Sequence, residues 1–347
     1  MINEVRWDIT GQCNLNCGHC QAAIFYQNER KKGKRDLSTN EAKIVVDKLS
    51  EAGVRRVGIL GGEPFMRNDI MQLLQYMHNQ GLKVTINTNL TLLEHFDIDE
   101  IFQYCKAVFV SIDGTSAEEH DRLRGKGTYD MTMKNLWKLV DKKGDGQVNI
   151  SYVINKFNQY TTDKIFSQMD DLGVDACFVD VVHKVGNADT NWDNLGLTKE
   201  EAENAVIRLI TSWDYTSDVV LNPRMYTNKF RDYLYKKTGI RLSDKIVWDA
   251  PGKTSFYILS DGTLMPTHFL AYMQYDKGFE SKSLKDYSFD DIVNGETFRE
   301  FMNLYDDKLP RTYYAPCISC EYCGKQCNPS PVSYWLGKKI PMDFCLV

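Results

Sequence analysis

Six short runs of apolar and β-branched residues punctuate the first half of this chain: Val5–Thr10, Arg56–Leu60, Lys83–Asn87, Ala107–Ile112, Val148–Ile154 and Ala176–Val182. Stretches of helical periodicity separate them. The first such stretch carries a capping box, Ser38 with Glu41, apolar positions at Ile44, Val45 and Leu49, and Gly53 as its stop. Later helices are expected to begin near Asn68, Asp99, Tyr129 and Thr161. Apolar strands that alternate with helices call for a parallel sheet covered by helices. Six units fall short of the eight that close a full barrel, so an open doubly wound sheet and a partial barrel are equally acceptable on composition alone. With 43% hydrophobic residues in 347, the chain can bury a large core.

Directly after the first strand comes Cys13-Asn-Leu-Asn-Cys17-Gly-His19-Cys20. A closed structural zinc site takes four protein ligands, and this loop offers three thiolates. A 4Fe-4S cluster on three thiolates leaves one iron open to a small molecule. The zinc alternative would use His19 as fourth ligand, but His19 adjoins Cys20 and no further ligand follows one hairpin downstream. In a βα fold functional groups gather at the carboxyl ends of strands, and the second strand ends in Gly61-Gly62-Glu63-Pro64. Glycines permit close backbone approach, a carboxylate pairs with an ammonium, and Pro64 fixes the turn. The third strand ends in Asn87-Thr88-Asn89, and the fourth in Ser111-Ile112-Asp113-Gly114, followed by His120, Arg122, Arg124 and Gly125. A planar carboxylate suits the Arg124 fork.

From Asn187 to Pro251 a Trp- and Tyr-rich stretch breaks the rhythm; a hairpin around Asp261-Gly262 and a helix over Asp290–Leu304 follow. Then come Cys317, Cys320, Cys323 and Cys327, with Cys345 near the end. Eight of the ten cysteines thus fall in two clusters, which reads as metal ligation. A four-cysteine zinc ribbon is the plain alternative for the second cluster.

The Cys13 loop, the Gly61-Gly62-Glu63-Pro64 turn and the Ser111–Arg124 segment together resemble the radical S-adenosylmethionine (radical SAM) superfamily, and the C-terminal cysteines resemble its SPASM and twitch modules. The resemblance implies a partial (β/α)6 TIM-like barrel over 1–186, a helical connecting segment over 187–253 and a cysteine-rich auxiliary-cluster module over 254–347. It also implies that Cys13, Cys17 and Cys20 hold a 4Fe-4S cluster whose open iron binds S-adenosylmethionine, with His19 in the place before the third cysteine. Gly61, Gly62, Glu63 and Pro64 would hold the methionine amino group, Arg124 its carboxylate, and Ser111 and Asn87 would line the site. One electron would then cleave the sulfonium to a 5'-deoxyadenosyl radical that abstracts a substrate hydrogen. Pro266-Thr267-His268-Phe269 lacks the cysteine that full SPASM modules carry after the hairpin. One auxiliary 4Fe-4S cluster is therefore expected, on Cys317, Cys320, Cys323 and Cys345, with Cys327 free or exchanging with Cys323. A flavodoxin- or ferredoxin-type electron donor is implied.

The substrate reading is modification of a ribosomally made peptide by epimerisation, crosslinking or thioether formation. The alternatives are oxidation or epimerisation of a small sugar-like or aminocyclitol alcohol and, from another class, a non-catalytic metal-binding scaffold. Asp180, His183 and His268 are candidates for substrate contact or proton transfer. Cys105 and Cys177 are read as buried thiols, Cys177 facing the helices by period-two alternation from Asp180. A net charge of −5, with one short basic run at Arg30–Arg35, does not point to nucleic acid. No leader or apolar window of membrane length is seen, so a cytosolic protein is expected. Replacing Cys13, Cys17 and Cys20 together by Ala should remove one four-iron cluster and abolish 5'-deoxyadenosine formation. Iron analysis and chromatography check this, and a triple variant that still cleaves S-adenosylmethionine would refute it.

Overall fold

The computed structural model describes residues 2, 4–213, 219–223, 228–241, 254–273, 278–306 and 335. Strand β1 (Glu4–Asp8) leads through the cysteine loop to α1 (Ala23–Lys31) and α2 (Thr39–Glu51). The order continues β2 (Arg56–Leu60), α3 (Ile70–Asn79), β3 (Lys83–Thr88), α4 (Ile98–Tyr104), β4 (Cys105–Ser111), α5 (Ala117–Arg124), α6 (Thr128–Asp141), β5 (Gln147–Ile154), α7 (Ile165–Leu172) and β6 (Ala176–Val181). Then follow α8 (Asn187–Thr190), α9 (Trp192–Leu195), α10 (Lys199–Ser212), β7 (Val220–Pro223), α11 (Asn228–Thr238), β8 (Ser255–Ile258), β9 (Leu264–Met265), α12 (Phe269–Tyr272), α13 (Phe289–Val293) and α14 (Glu296–Asp306). The Ser38–Glu41 capping box opens α2 as the sequence requires.

The strands form one sheet in the order β7-β6-β5-β4-β3-β2-β1-β8-β9, every neighbouring pair parallel except the final hairpin. The six expected strands are its centre, and the sheet is a partial barrel with helices packed on its outside. It extends past them at both edges. β7 continues the βα rhythm inside the stretch read as a helical connector; it is four residues long and ends in Pro223, which suits an edge and gives a weak strand signal. The hairpin forms around Asp261-Gly262, and β8 also lies in parallel register with β1, Val5 opposite Phe256 and Trp7 opposite Ile258, so the hairpin extends the barrel sheet. The last expected helix is two helices, broken at Asn294-Gly295.

Period-two alternation divides the sheet into two faces with different chemistry. Val5, Trp7, Ile59, Ile86, Val110, Ile150, Tyr152 and Val179 are buried in the core with Val45, Leu49, Leu73 and Leu74 of the helices. Cys177 lies on this face, opposite Ile150 and fully buried. The inner face carries Arg6, Asp8, Asn87, Phe109, Ser111, Ser151, Phe178 and Asp180; apart from buried Asp8 these are half-exposed. Polar residues on the inner face of a barrel are affordable because they line the site.

The loops after β1 and β2 touch backbone to backbone. Gly62 N–H donates to Thr10 O at 2.8 Å and Glu63 N–H to Gln12 O at 2.7 Å. A Cβ on Gly61, whose φ is +129°, would come within 2.3 Å of Thr10 O, and one on Gly62 within 2.0 Å of Gln12 O. The two glycines are thus required by the cysteine loop itself. Arg67 adds a staple, donating to Ile9 O at 2.8 Å and Leu37 O at 3.0 Å while paired with Asp69. Gly62→Ala should destabilise the fold by about 1–3 kcal/mol, the usual cost of an inserted methyl group that finds no room. Denaturant unfolding and iron retention of the variant check this; wild-type values for both would refute the packing argument.

Candidate active site

The cysteine loop presents its thiols in three different settings: Cys13 is exposed, Cys17 buried and Cys20 half-buried. Leu15 N–H donates to Cys13 Sγ at 3.4 Å, and Asn89 Nδ2 stands 4.0 Å from the same sulfur. Arg124 Nη1 is 4.0 Å from Cys17 Sγ. The backbone N–H groups of Ala22 and Ala23, at the start of α1, point at Cys20, where the positive end of the helix favours a thiolate. Burial nevertheless pushes Cys13 up to about 11 and Cys17 to about 12. A metal that takes thiolates from this loop therefore displaces protons.

Among the described residues no three His, Cys, Asp or Glu side chains converge tightly enough for a single ion, which a zinc site would demand. In a four-iron cluster each thiolate takes a different iron, so the sulfurs stand further apart. A loop that spreads three thiols, aims amide donors at two and a guanidinium at the third, fits that group. His19 turns Nε2 toward Asp113 at 3.5 Å, while its Nδ1 is buried without a hydrogen-bond partner. Burial lowers its pKa to about 4, which keeps it neutral.

Asp113, within the Ser111–Gly114 motif, is the hub of this region, a role that its sequence context does not signal. Fully buried, it accepts from Arg124 Nε at 2.5 Å through Oδ2 and from Val153 N–H at 2.8 Å through Oδ1. Its own N–H donates to His120 Nδ1 at 3.3 Å. Burial opposes its charge, but Arg124, His19, His120 and the Val153 amide outweigh that and hold the carboxyl below its usual range. Arg124 ends α5, where a cation meets the negative end of the helix.

Glu63 is equally buried. Its Oε1 accepts from Phe65 N–H at 3.1 Å and Thr88 Oγ1 at 2.8 Å, and its Oε2 from Asn89 N–H at 2.7 Å. The carboxylate expected to meet a ligand ammonium thus also clamps the end of β3, and burial raises its pKa to about 7 despite the three donors. Asn89, in turn, donates to Asn14 Oδ1 at 3.0 Å, joining the β3 turn to the cysteine loop.

Of the three candidates Asp180 and His183 are paired, and His268 adjoins Phe269, which meets the His183 ring. Asp180 Oδ1 and His183 Nε2 lie 3.1 Å apart, the His183 ring meets Phe269 at 6.0 Å, and both residues act electrostatically on His268, which burial lowers to about 3. Asn87 and Ser111 lie on the same inner face, Asn87 in register with Phe109 and Ser111 with Ser151. Pro64 starts the short 3-10 turn over Pro64–Met66. Missed by sequence reading is a carboxylate, Asp8, bound by the phenols of Tyr26, Tyr257 and Tyr272. Nothing local signals it, because the partners come from remote segments. Cys317, Cys320, Cys323, Cys327 and Cys345 lie outside the described residues.

The site is thus a three-thiol loop after β1, clamped by a glycine turn after β2 and faced by an arginine of α5 after β4. The family model of the radical SAM superfamily matches residues 7–168, and that of the SPASM iron-sulfur cluster-binding domain matches 251–323. The chain belongs to the radical SAM superfamily and carries a SPASM domain, so a 4Fe-4S cluster, S-adenosylmethionine and auxiliary iron-sulfur belong to it and the scaffold reading falls. An AdoMet-dependent heme synthase of Methanosarcina barkeri is 28% identical over 92% of this chain and 88% of its own length. Mycofactocin maturase MftC of Mycobacterium tuberculosis is 34% identical over 44% of this chain and 38% of its own. Among solved structures, Streptococcus suis SuiB bound to the precursor peptide SuiA has the same fold, with a TM-score of 0.74 at 18% identity, covering 100% of this chain and 76% of that one. No described helix is long and apolar enough to cross a membrane.

Asp113→Asn and Arg124→Gln should each destabilise the protein by about 3–5 kcal/mol, since each strands a buried charge. The double variant should lose clearly less than the sum. A denaturant double-mutant cycle measures this; additive losses would mean that the pair is not coupled.

Proposed function

We propose that this chain modifies a ribosomally made peptide by radical chemistry, the outcome being epimerisation, a crosslink or a thioether. The observation that carries the chemistry is the Cys13–Cys20 loop with Arg124 against Cys17 and Asp113 behind it. When bound, the cluster and S-adenosylmethionine supply a 5'-deoxyadenosyl radical for hydrogen abstraction. In this reading Gly61, Gly62, Glu63 and Pro64 hold the methionine amino group. Arg124 holds the carboxylate, already oriented by Asp113, and Asn87 and Ser111 border the adenosyl part. Asp180, His183 and His268 contact the substrate or move its proton. Cys317, Cys320, Cys323 and Cys345, with Cys327 as the alternative ligand, would hold a single auxiliary cluster.

A second reading has a specific basis: similarity to heme synthases extends over 92% of the chain, so a tetrapyrrole is the competing substrate. Carboxylate-bearing rings call for guanidinium or ammonium partners. The described lining at the strand ends is Asn87, Ser111, Asp180 and His183, with Arg124 paired to Asp113 and Arg6, further down the inner face, paired to Glu4. Such a lining suits amides and hydroxyls, which favours the peptide.

The test uses the reconstituted protein with S-adenosylmethionine and a low-potential reductant. A precursor peptide encoded beside its gene should raise 5'-deoxyadenosine formation by about tenfold or more, equivalent to about 1.4 kcal/mol of barrier; iron coproporphyrin III should not. The reverse pattern would overturn the peptide reading and leave the radical chemistry standing.

A further inference from the structure

A radical enzyme that restores a hydrogen to its substrate needs a donor near the radical, and thiols are the usual candidates. Among the described residues, however, the cysteines outside the cluster loop face away from the inner surface. Cys177 is fully buried opposite Ile150 on the helix-covered face, and Cys105 is buried where α4 meets β4.

What the inner face holds instead is a group of phenols. Asp8, 1% exposed, accepts from Tyr26 Oη at 2.5 Å, from Tyr257 Oη at 2.6 Å and from Tyr272 Oη, and the last two hydroxyls are 3.2 Å apart. The tyrosines belong to α1, β8 and α12. Tyr257 is in register with Arg6, on the same face as Asp8. Its ring lies 5.0 Å from that of His268, a substrate candidate that adjoins Phe269, whose ring meets His183 at 6.0 Å. On the other side the Tyr26 ring packs under the cysteine loop, so closely that a methyl on Gly11 would meet its Cδ1 at 2.5 Å. The phenols thus lie between the cluster loop and the substrate candidates.

We infer that Tyr257 is a hydrogen-atom donor to carbon-centred radicals formed in the barrel. The inference rests on the radical chemistry proposed above. A phenolic O–H is weaker than an aliphatic C–H, so the transfer runs downhill: the O–H bond breaks, a C–H bond forms, and a phenoxyl radical remains. One electron from a low-potential one-electron reductant and one proton from the Asp8 network restore the phenol. Asp8 suits the role of proton reserve, because burial raises its pKa to about 6 against the pull of its three phenol donors and with the Asp36 charge adding to the rise. Were the tyrosines there only to satisfy a buried carboxylate, no hydrogen would leave them.

Deuterium distinguishes the two cases, since hydroxyl hydrogens exchange in D2O and aliphatic ones do not. Reconstituted protein is incubated in D2O with S-adenosylmethionine and titanium(III) citrate, without substrate or added thiol, and the 5'-deoxyadenosine is weighed by mass spectrometry. Wild type should yield deuterated product, and Tyr257→Phe should lose most of the label at unchanged iron content. Freeze-quench electron paramagnetic resonance should show a phenoxyl signal in wild type that Tyr257→Phe lacks. Unlabelled wild-type product, or undiminished label in Tyr257→Phe, overturns the assignment. Should Tyr257→Phe lose its irons, Asp8→Asn decides: it keeps the donor but not the proton reserve and should accumulate the phenoxyl signal, and a silent spectrum overturns the proposal. Absence of 5'-deoxyadenosine altogether overturns the functional reading and the donor with it.

Discussion

Two main-chain hydrogen bonds, Gly62 to Thr10 and Glu63 to Gln12, hold the cysteine loop against the turn after β2. The rest of the site is built on that contact. It requires residues without a Cβ at 61 and 62, because a side chain there would overlap a carbonyl oxygen. It also carries Glu63 inward, where the carboxylate takes donors from Phe65, Thr88 and Asn89 and so fixes the end of β3 as well. Asn89 returns to the cysteine loop through Asn14. Three strand ends are thereby joined around the thiols by short, directional bonds.

Charge is arranged around this frame with few exposed groups. Arg124 lies against Cys17 and is oriented by Asp113; the carboxylate is fully buried and the guanidinium largely so. A guanidinium there offsets part of the negative charge that three thiolates would bring, which matters most in a low-dielectric interior. His19 and His120 flank the same carboxylate and are kept neutral by burial, both lowered to about 4. On the far wall Asp8 takes phenols as partners in place of a cation, and burial raises its pKa to about 6 although the three phenol donors pull it down. Two buried carboxylates near one loop thus differ: Asp113 is held below the usual carboxylate range and Asp8 above it.

Much of the fold and of the cluster loop was legible because the signals are local. The capping box at Ser38 and Glu41 acts within one helical turn, and the six central strands show as apolar runs a few residues long. Less was legible where strands were short or the context was remote. β7 has four residues and a proline, and nothing in the sequence of β8, which opens the C-terminal module, tells that it also pairs with the open edge of β1. For Glu63 the chemistry of the residue was readable, but its three protein donors were not.

By itself the sequence determined that this protein has a three-thiol loop, a Gly-Gly-Glu-Pro turn one unit later and a strand-helix alternation. These depend on spacing within a few residues, on bond geometry and on the two periodicities of backbone structure. Only the tertiary structure decided that Asp113 would orient Arg124 against Cys17 and that Asp8 would meet tyrosines 249 and 264 residues away. The reason is register: which residues of distant strands stand side by side is set by packing the whole sheet, and no local rule contains it.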